Sequence, residues 1–139
     1  MTLRGKKIME KLVIAAQEAR EKAYVPYSNF KVGAAVLTKK GTVYTGCNVE
    51  NASYGLCNCA ERTAIFKAIS EGEREFAAIA IIADTHHPVA PCGACRQVMA
   101  EFGIPKIIMC NLHQQQYVAT LEELLPYSFE KKHLSGEKL

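Results

Sequence analysis

Phe76-Ala77-Ala78-Ile79-Ala80-Ile81-Ile82-Ala83 runs eight residues without a polar side chain and stops at Asp84. A strand with one face in water alternates polar and apolar residues, so this uninterrupted run predicts a strand covered on both faces, the centre of a layered domain. It is far short of the ~20 apolar residues a membrane-crossing helix needs. Downstream, residues 92–102 read as a helix stopped by Gly103, and residues 106–110 as a second strand, so strand, helix and strand predict a crossover with parallel pairing. A short strand near residues 116–118 follows. Thr120 and Glu123 then form a capping pair that starts a helix ended by Pro126, and residues 130–139 are expected to be a flexible tail.

Upstream of the central run, Ala60, Ala64, Ile65, Ala68 and Ile69 recur at helical spacing, predicting a helix over residues 59–71 with Gly72 placed for a left-handed cap. Extended segments over residues 30–37 and 42–49, joined at Lys39-Lys40-Gly41, predict a hairpin. Residues 4–23 line Ile8, Leu12, Ala15, Ala16 and Ala19 along one helical face. The expected architecture is a single domain over residues 1–139 of the α/β class, a three-layer α/β/α sandwich around a mixed five-stranded sheet.

Composition narrows the function. With 49% hydrophobic and 22% charged residues among 139, the chain can bury one core. Its formal charge of +3 is spread among interleaved acids and bases, as in Glu18-Ala19-Arg20-Glu21-Lys22, which is a solvated surface rather than a groove for nucleic acid. Arg4, Lys6 and Lys7 resemble the basic start of an export signal, but Glu10 and Lys11 interrupt the apolar segment that should follow, so neither export nor membrane association is expected and the cytoplasm is the expected location. In that compartment six cysteines (Cys47, Cys57, Cys59, Cys92, Cys95 and Cys110) point to metal binding before disulfides.

Two clusters carry the chemistry: Cys59-Ala60-Glu61 and Pro91-Cys92-Gly93-Ala94-Cys95, each where a helix is expected to begin. The unpaired N–H groups and positive dipole end of a helix start favour thiolate over thiol. Cys59, Cys92 and Cys95 would give a metal three protein donors and an open position, the arrangement of catalytic zinc, whereas structural zinc is closed by four. Water in the open position is acidified by zinc, and Glu61, a carboxylate nearby that does not ligate, can move its protons.

The pattern C-A-E…P-C-G-A-C resembles the signature of the zinc-dependent cytidine deaminases, in their three-cysteine form. The likeness continues through residues 27–35, 46–54, 59–62, 91–97 and 124–129, nearly the whole of the expected fold. It implies one Zn2+ per subunit and hydrolytic deamination of cytidine and 2'-deoxycytidine to the uracil nucleosides, releasing ammonia in pyrimidine salvage. In that scheme a zinc-bound hydroxide attacks C4 and Glu61 is the proton shuttle. It further implies that Asn48 and Glu50 bond the ribose 3'-hydroxyl and that Ala60 binds the base's O2 through its backbone. Phe30 stacks on the pyrimidine, with Phe129 from another subunit. The backbone of Ala52 and the phenol of Tyr54 approach the sugar from a neighbouring subunit of a homotetramer. Three thiolates weaken zinc's power to acidify water, so Arg62 and Arg96 are expected to donate hydrogen bonds to the ligand sulfurs in compensation.

Three alternatives stand beside this reading. Cys57 could join the other three in a closed four-cysteine structural site, making the chain a non-enzymatic module. The substrate could instead be a nucleoside-like antibiotic such as blasticidin S, or a base in a polynucleotide, although no basic stripe is present for phosphates. Cys47 and Cys110, on expected strands, read as core fillers.

Overall fold

The computed structural model describes residues 2–136. Helix α1 spans Leu3–Arg20, with the Thr2 hydroxyl accepting from Gly5 N at 3.0 Å as its N-cap. Strands β1 (Val32–Thr38) and β2 (Val43–Cys47) form the hairpin, helix α2 covers Ala60–Ser70, and β3 is Phe76–Ala83, with the bounds the apolar run predicted. Helix α3 (Gly93–Glu101), β4 (Lys106–Asn111), β5 (Gln116–Thr120) and the short helices α4 (Leu121–Leu124) and α5 (Lys131–Leu134) complete the order. Residues 137–139 of the expected tail lie outside the described residues, and 131–134 form a helical turn there instead of coil. No helix among the described residues is long and apolar enough to cross a membrane.

The sheet is five-stranded and mixed, in the order β2-β1-β3-β4-β5, with β3 and β4 parallel and the other pairs antiparallel. Alternation along β3 sends Ile79 and Ile81 into a core with Ala64, Ile65 and Ala68 of α2 and Met99 of α3. Ala78, Ala80 and Ile82 face the other way, against Leu12 and Ala16 of α1. Both faces of β3 are therefore dry, which is why its sequence never alternates.

The first two strands are shorter than expected, for a tertiary reason. Strand β1 starts at Val32, not Phe30, because side chains from residues 48 and 50 bond the 27–32 segment and Asn29 turns with φ 58°. Strand β2 ends at Cys47 because Val49 leaves the hairpin to make isolated bridges with Tyr24 and Asn58. Helix α1 likewise ends at Arg20, before the chain turns toward that bridge.

Two glycines set the helix heights. A Cβ on Gly33 would lie 2.0 Å from Ala16 O, and one on Gly46 would lie 2.4 Å from Ala64 N and 2.7 Å from Ala60 O. Helices α1 and α2 thus rest directly on strand backbone, one on each side of the sheet. A methyl group at residue 46 must push the first turn of α2 away, and that turn carries Glu61. We expect Gly46→Ala to cost about 3 kcal/mol, at the upper end of overpacking penalties, read as a fall in the urea midpoint of unfolding.

Candidate active site

Cys59 is the N-cap of α2 and Cys92 the N-cap of α3, and neither side chain is used in capping. Both helices lie on the same face of the sheet. Their N-termini bring Cys59 Sγ to 3.8 Å from Cys92 Sγ, and Cys92 Sγ to 3.5 Å from Cys95 Sγ, with all three sulfurs within 4.8 Å of one another. A tetrahedral zinc with Zn–S bonds of ~2.3 Å has sulfur–sulfur edges of ~3.8 Å, so these residues fit such an ion. The fourth cysteine of the closed alternative is elsewhere: Cys57 Sγ accepts from Asn51 N at 3.3 Å and lies 3.7 Å from Asn51 O, outside the cluster. The four-sulfur site is therefore not what the fold assembles. Cys110 is buried, its thiol pushed up to about 11 by desolvation, in keeping with core filling, while Cys47 is half-buried.

Around the sulfurs the charges are arranged unequally. Cys59 is drawn down to about 5, first by a hydrogen bond from Cys95 and then by the Arg62 guanidinium, whose Nη2 donates to Cys59 Sγ at 3.3 Å. Cys95, fully buried, goes the opposite way because it shares its proton with Cys59. Arg62 Nε is buried without an acceptor beside this group. A guanidinium accepts that environment when the sulfurs next to it are anionic, as metal ligands must be.

Glu61 sits one residue into α2, only 4% exposed, with its carboxyl raised to about 7, chiefly by burial. A buried carboxyl that exchanges its proton near neutrality is what general acid–base chemistry requires. Ala60 beside it is fully buried.

The remaining expected residues fall into two groups. Asn48 donates from Nδ2 to Phe30 O at 2.7 Å and accepts from Val32 N at 2.9 Å, while the Glu50 carboxylate accepts from Tyr27 N at 3.0 Å, Ser28 N at 3.1 Å and the Ser28 hydroxyl. These bonds, the Ser28 hydroxyl first, hold Glu50 below its ordinary carboxylate range and therefore anionic. Phe30, Ala52, Tyr54 and Phe129 are all exposed. Tyr54 meets Tyr27 edge to face at 5.8 Å, and Tyr27, Ser28, Glu50, Tyr54 and Cys57 line a cavity of about 260 Å3. Sequence reading passed over Tyr27 and Ser28 as site residues; the hydroxyl one residue before a turn-forming Asn29 was the available signal. Arg96 corrects an expectation: its guanidinium is spent on Pro91 O at 2.8 Å and Leu124 O at 2.7 Å, not on a sulfur.

Residues 6–111 match the family model described as the cytidine and deoxycytidylate deaminase zinc-binding region, which contains the whole sulfur cluster and Glu61. The chain belongs to the cytidine deaminase family. A cytidine deaminase of Sporosarcina psychrophila is 54% identical over 129 residues, spanning 91% of this chain and 95% of that one. Another, from Halalkalibacterium halodurans, is 56% identical over 126 residues, 89% of this chain and 96% of its own length. The crystal structure of a cytidine deaminase from Burkholderia pseudomallei superposes with a TM-score of 0.85 at 56% identity, covering 93% of this chain and 100% of that one. The fold of a cytidine deaminase and a three-cysteine cluster that fits zinc are thus both present here.

Removing the guanidinium should loosen the metal: Arg62→Gln is expected to weaken zinc binding on the order of tenfold, read by competition with a chromogenic chelator. In metal-free protein Glu61 holds its proton more tightly folded than unfolded, moving from 4.5 to about 7. Its contribution to stability is then full below pH 4.5 and declines up to about pH 7. Glu61→Gln should flatten that part of the pH–stability curve of the metal-free protein relative to the parent.

Proposed function

We propose that the chain hydrolyses cytidine and 2'-deoxycytidine to uridine and 2'-deoxyuridine, releasing ammonia. The observation that carries this reading is the buried Glu61 carboxyl placed beside three sulfurs in zinc-ligand geometry. Zinc held by Cys59, Cys92 and Cys95 supplies Lewis acidity and lowers the pKa of water. Glu61 accepts a proton as the water oxygen bonds to C4 and delivers it to N3. It then takes the proton of the new C4 hydroxyl and passes it to the amine, so that the C4–N bond breaks, the C4 carbonyl forms and ammonia leaves. Arg62 offsets the negative charge that the thiolates gather.

Substrate is held, in this proposal, by Asn48 and Glu50 at the 3'-hydroxyl, by the backbone of Ala60 at O2, and by Phe30 on the ring. The anionic state of Glu50 and its setting at the 260 Å3 cavity support its role as an acceptor for a sugar hydroxyl. Asn48, already bonded on both sides to residues 30 and 32, fixes the backbone that carries Phe30.

We further propose a homotetramer acting in pyrimidine salvage in the cytoplasm, with Ala52, Tyr54 and Phe129 completing the sites of neighbouring subunits. Tyr24, Tyr27, Phe30, Val49, Tyr54 and Leu56 are all exposed in the segments around Glu50, apolar surface available to a neighbouring subunit. Evenly mixed charge argues against a polynucleotide substrate.

The test is an ultraviolet assay of cytidine loss with zinc quantified on the same sample. Glu61→Ala is expected to yield folded, zinc-loaded protein with kcat lower by roughly 10^3-fold. A fully active Glu61→Ala, or active protein without metal, removes the reading.

A further inference from the structure

From the last residue of α4 onward the chain is tied to α3 at three places. Arg96 Nε donates to Pro91 O at 2.8 Å and its Nη1 to Leu124 O at 2.7 Å. Gln97 Nε2 donates to Phe129 O at 2.8 Å. The third tie, Lys131 to Glu101 at 3.5 Å, is an exposed ion pair that adds little.

The first two differ from the third in what they join. Pro91 directly precedes the ligand Cys92, and Leu124 is the last residue of α4, so one partly buried guanidinium spans the metal-bearing turn and the start of the C-terminal segment. Successive helical residues point ~100° apart, so Gln97 leaves α3 in another direction and meets the same segment five residues after Leu124, at Phe129. Between these anchors the backbone is irregular: Leu125 has φ −146° and Tyr127 has φ 56° with its ring fully in solvent. Its local bonds include Leu125 N to Leu121 O at 2.8 Å, the Ser128–Glu130 pair, Glu130 N to His133 Nδ1 at 2.9 Å, the exposed Lys132–Glu130 ion pair and the stacking of Phe129 on His133 at 5.6 Å, none of which reaches α3.

We infer that Arg96 and Gln97 are positioning residues that lash the Phe129 segment to α3, so that one helix aligns both the turn carrying Cys92 and the aromatic ring offered to a nucleobase. This rests on the proposed role of Phe129 at the pyrimidine. An exposed ring on an untied loop must be ordered each time substrate binds; a fixed carbonyl at residue 129 has met that cost beforehand. Gln97 sets the ring, and Arg96 sets the ring's segment and the metal turn together. Lysine at residue 96 keeps the charge but cannot fork between two carbonyls.

The experiment uses zinc-loaded full-length chain and four variants: Gln97→Met, Arg96→Lys, Phe129→Ala and the Gln97→Met/Phe129→Ala double. Gln97→Met removes the donor at nearly constant volume. It should raise KM for cytidine on the order of tenfold with kcat within about twofold, the size of one hydrogen bond. In the Phe129→Ala background the same change should move KM by less than about twofold, because residues acting through one another are not additive. Arg96→Lys should raise KM and also speed zinc transfer to a chelator, whereas Gln97→Met leaves zinc release unchanged. Amide exchange over residues 125–130 should quicken in both.

Equal KM effects of Gln97→Met in the two backgrounds, or unchanged exchange over residues 125–130, overturns the inference. If Phe129→Ala raises KM while Gln97→Met does not, the inference alone fails. If Phe129→Ala leaves KM untouched in active enzyme, the role of Phe129 fails and the inference with it.

Discussion

Three sulfurs within 4.8 Å of one another, with a buried carboxyl next door, are an electrostatic problem before they are a site. Four acidic groups cannot all ionise there on the strength of Arg62 and two helix N-termini. Without a cation they divide protons: Cys59 gives its own up at about 5, Cys95 keeps its own, and Glu61 holds one to about 7. A divalent ion removes the conflict by replacing the protons on sulfur, so metal affinity and proton release are the same event viewed from two sides. Burial of Glu61 then has a purpose distinct from that of the thiols, since it delays ionisation of a group that does not ligate.

Holding the sulfurs together falls to the sheet. Helices α2 and α3 pack on one face of it through Ala64, Ala68 and Met99, with small residues predominating on α2. Gly46 lets α2 sit against strand backbone, and the parallel β3–β4 pairing requires a crossover, which α3 supplies. Each ligand helix is thereby fixed by core packing from its first turn onward, and the donors are presented from a rigid base. Placing the donors on helix starts, not on a long loop, gives a site with little conformational entropy to lose on binding metal.

The parts of this arrangement that depend on local or periodic chemistry were legible in the residues. Strand β3 matched its apolar run to the residue because burial on two faces leaves no other composition, and Thr120–Glu123 formed the capping box its spacing promised. The metal cluster was legible for the same reason: cysteine spacing at a helix start is a local pattern. What was not legible lies where distant side chains overrule backbone preference. Phe30 looks like a strand residue, yet Asn48 and Glu50 from beyond the hairpin hold residues 27–31 out of the sheet. Likewise nothing near residues 131–134 announces a helical turn, which depends on Glu130 and His133 capping each other.

The two arginines beside ligand cysteines show how little separates these cases. Arg62 follows Cys59 by three positions, so its side chain rises over the same helical face and its Nη2 reaches the sulfur. Arg96 follows Cys95 by one, points ~100° away from it, and finds carbonyls instead. A cation bonded to a ligand sulfur withdraws charge from the metal and so bears on how strongly that metal acidifies water. A cation bonded to the carbonyl before a ligand bears on where that ligand stands. Neutralising the ligand thiolates is therefore left to Arg62 among the two, whose Nη2 bonds Cys59 Sγ while its Nε is buried without a partner.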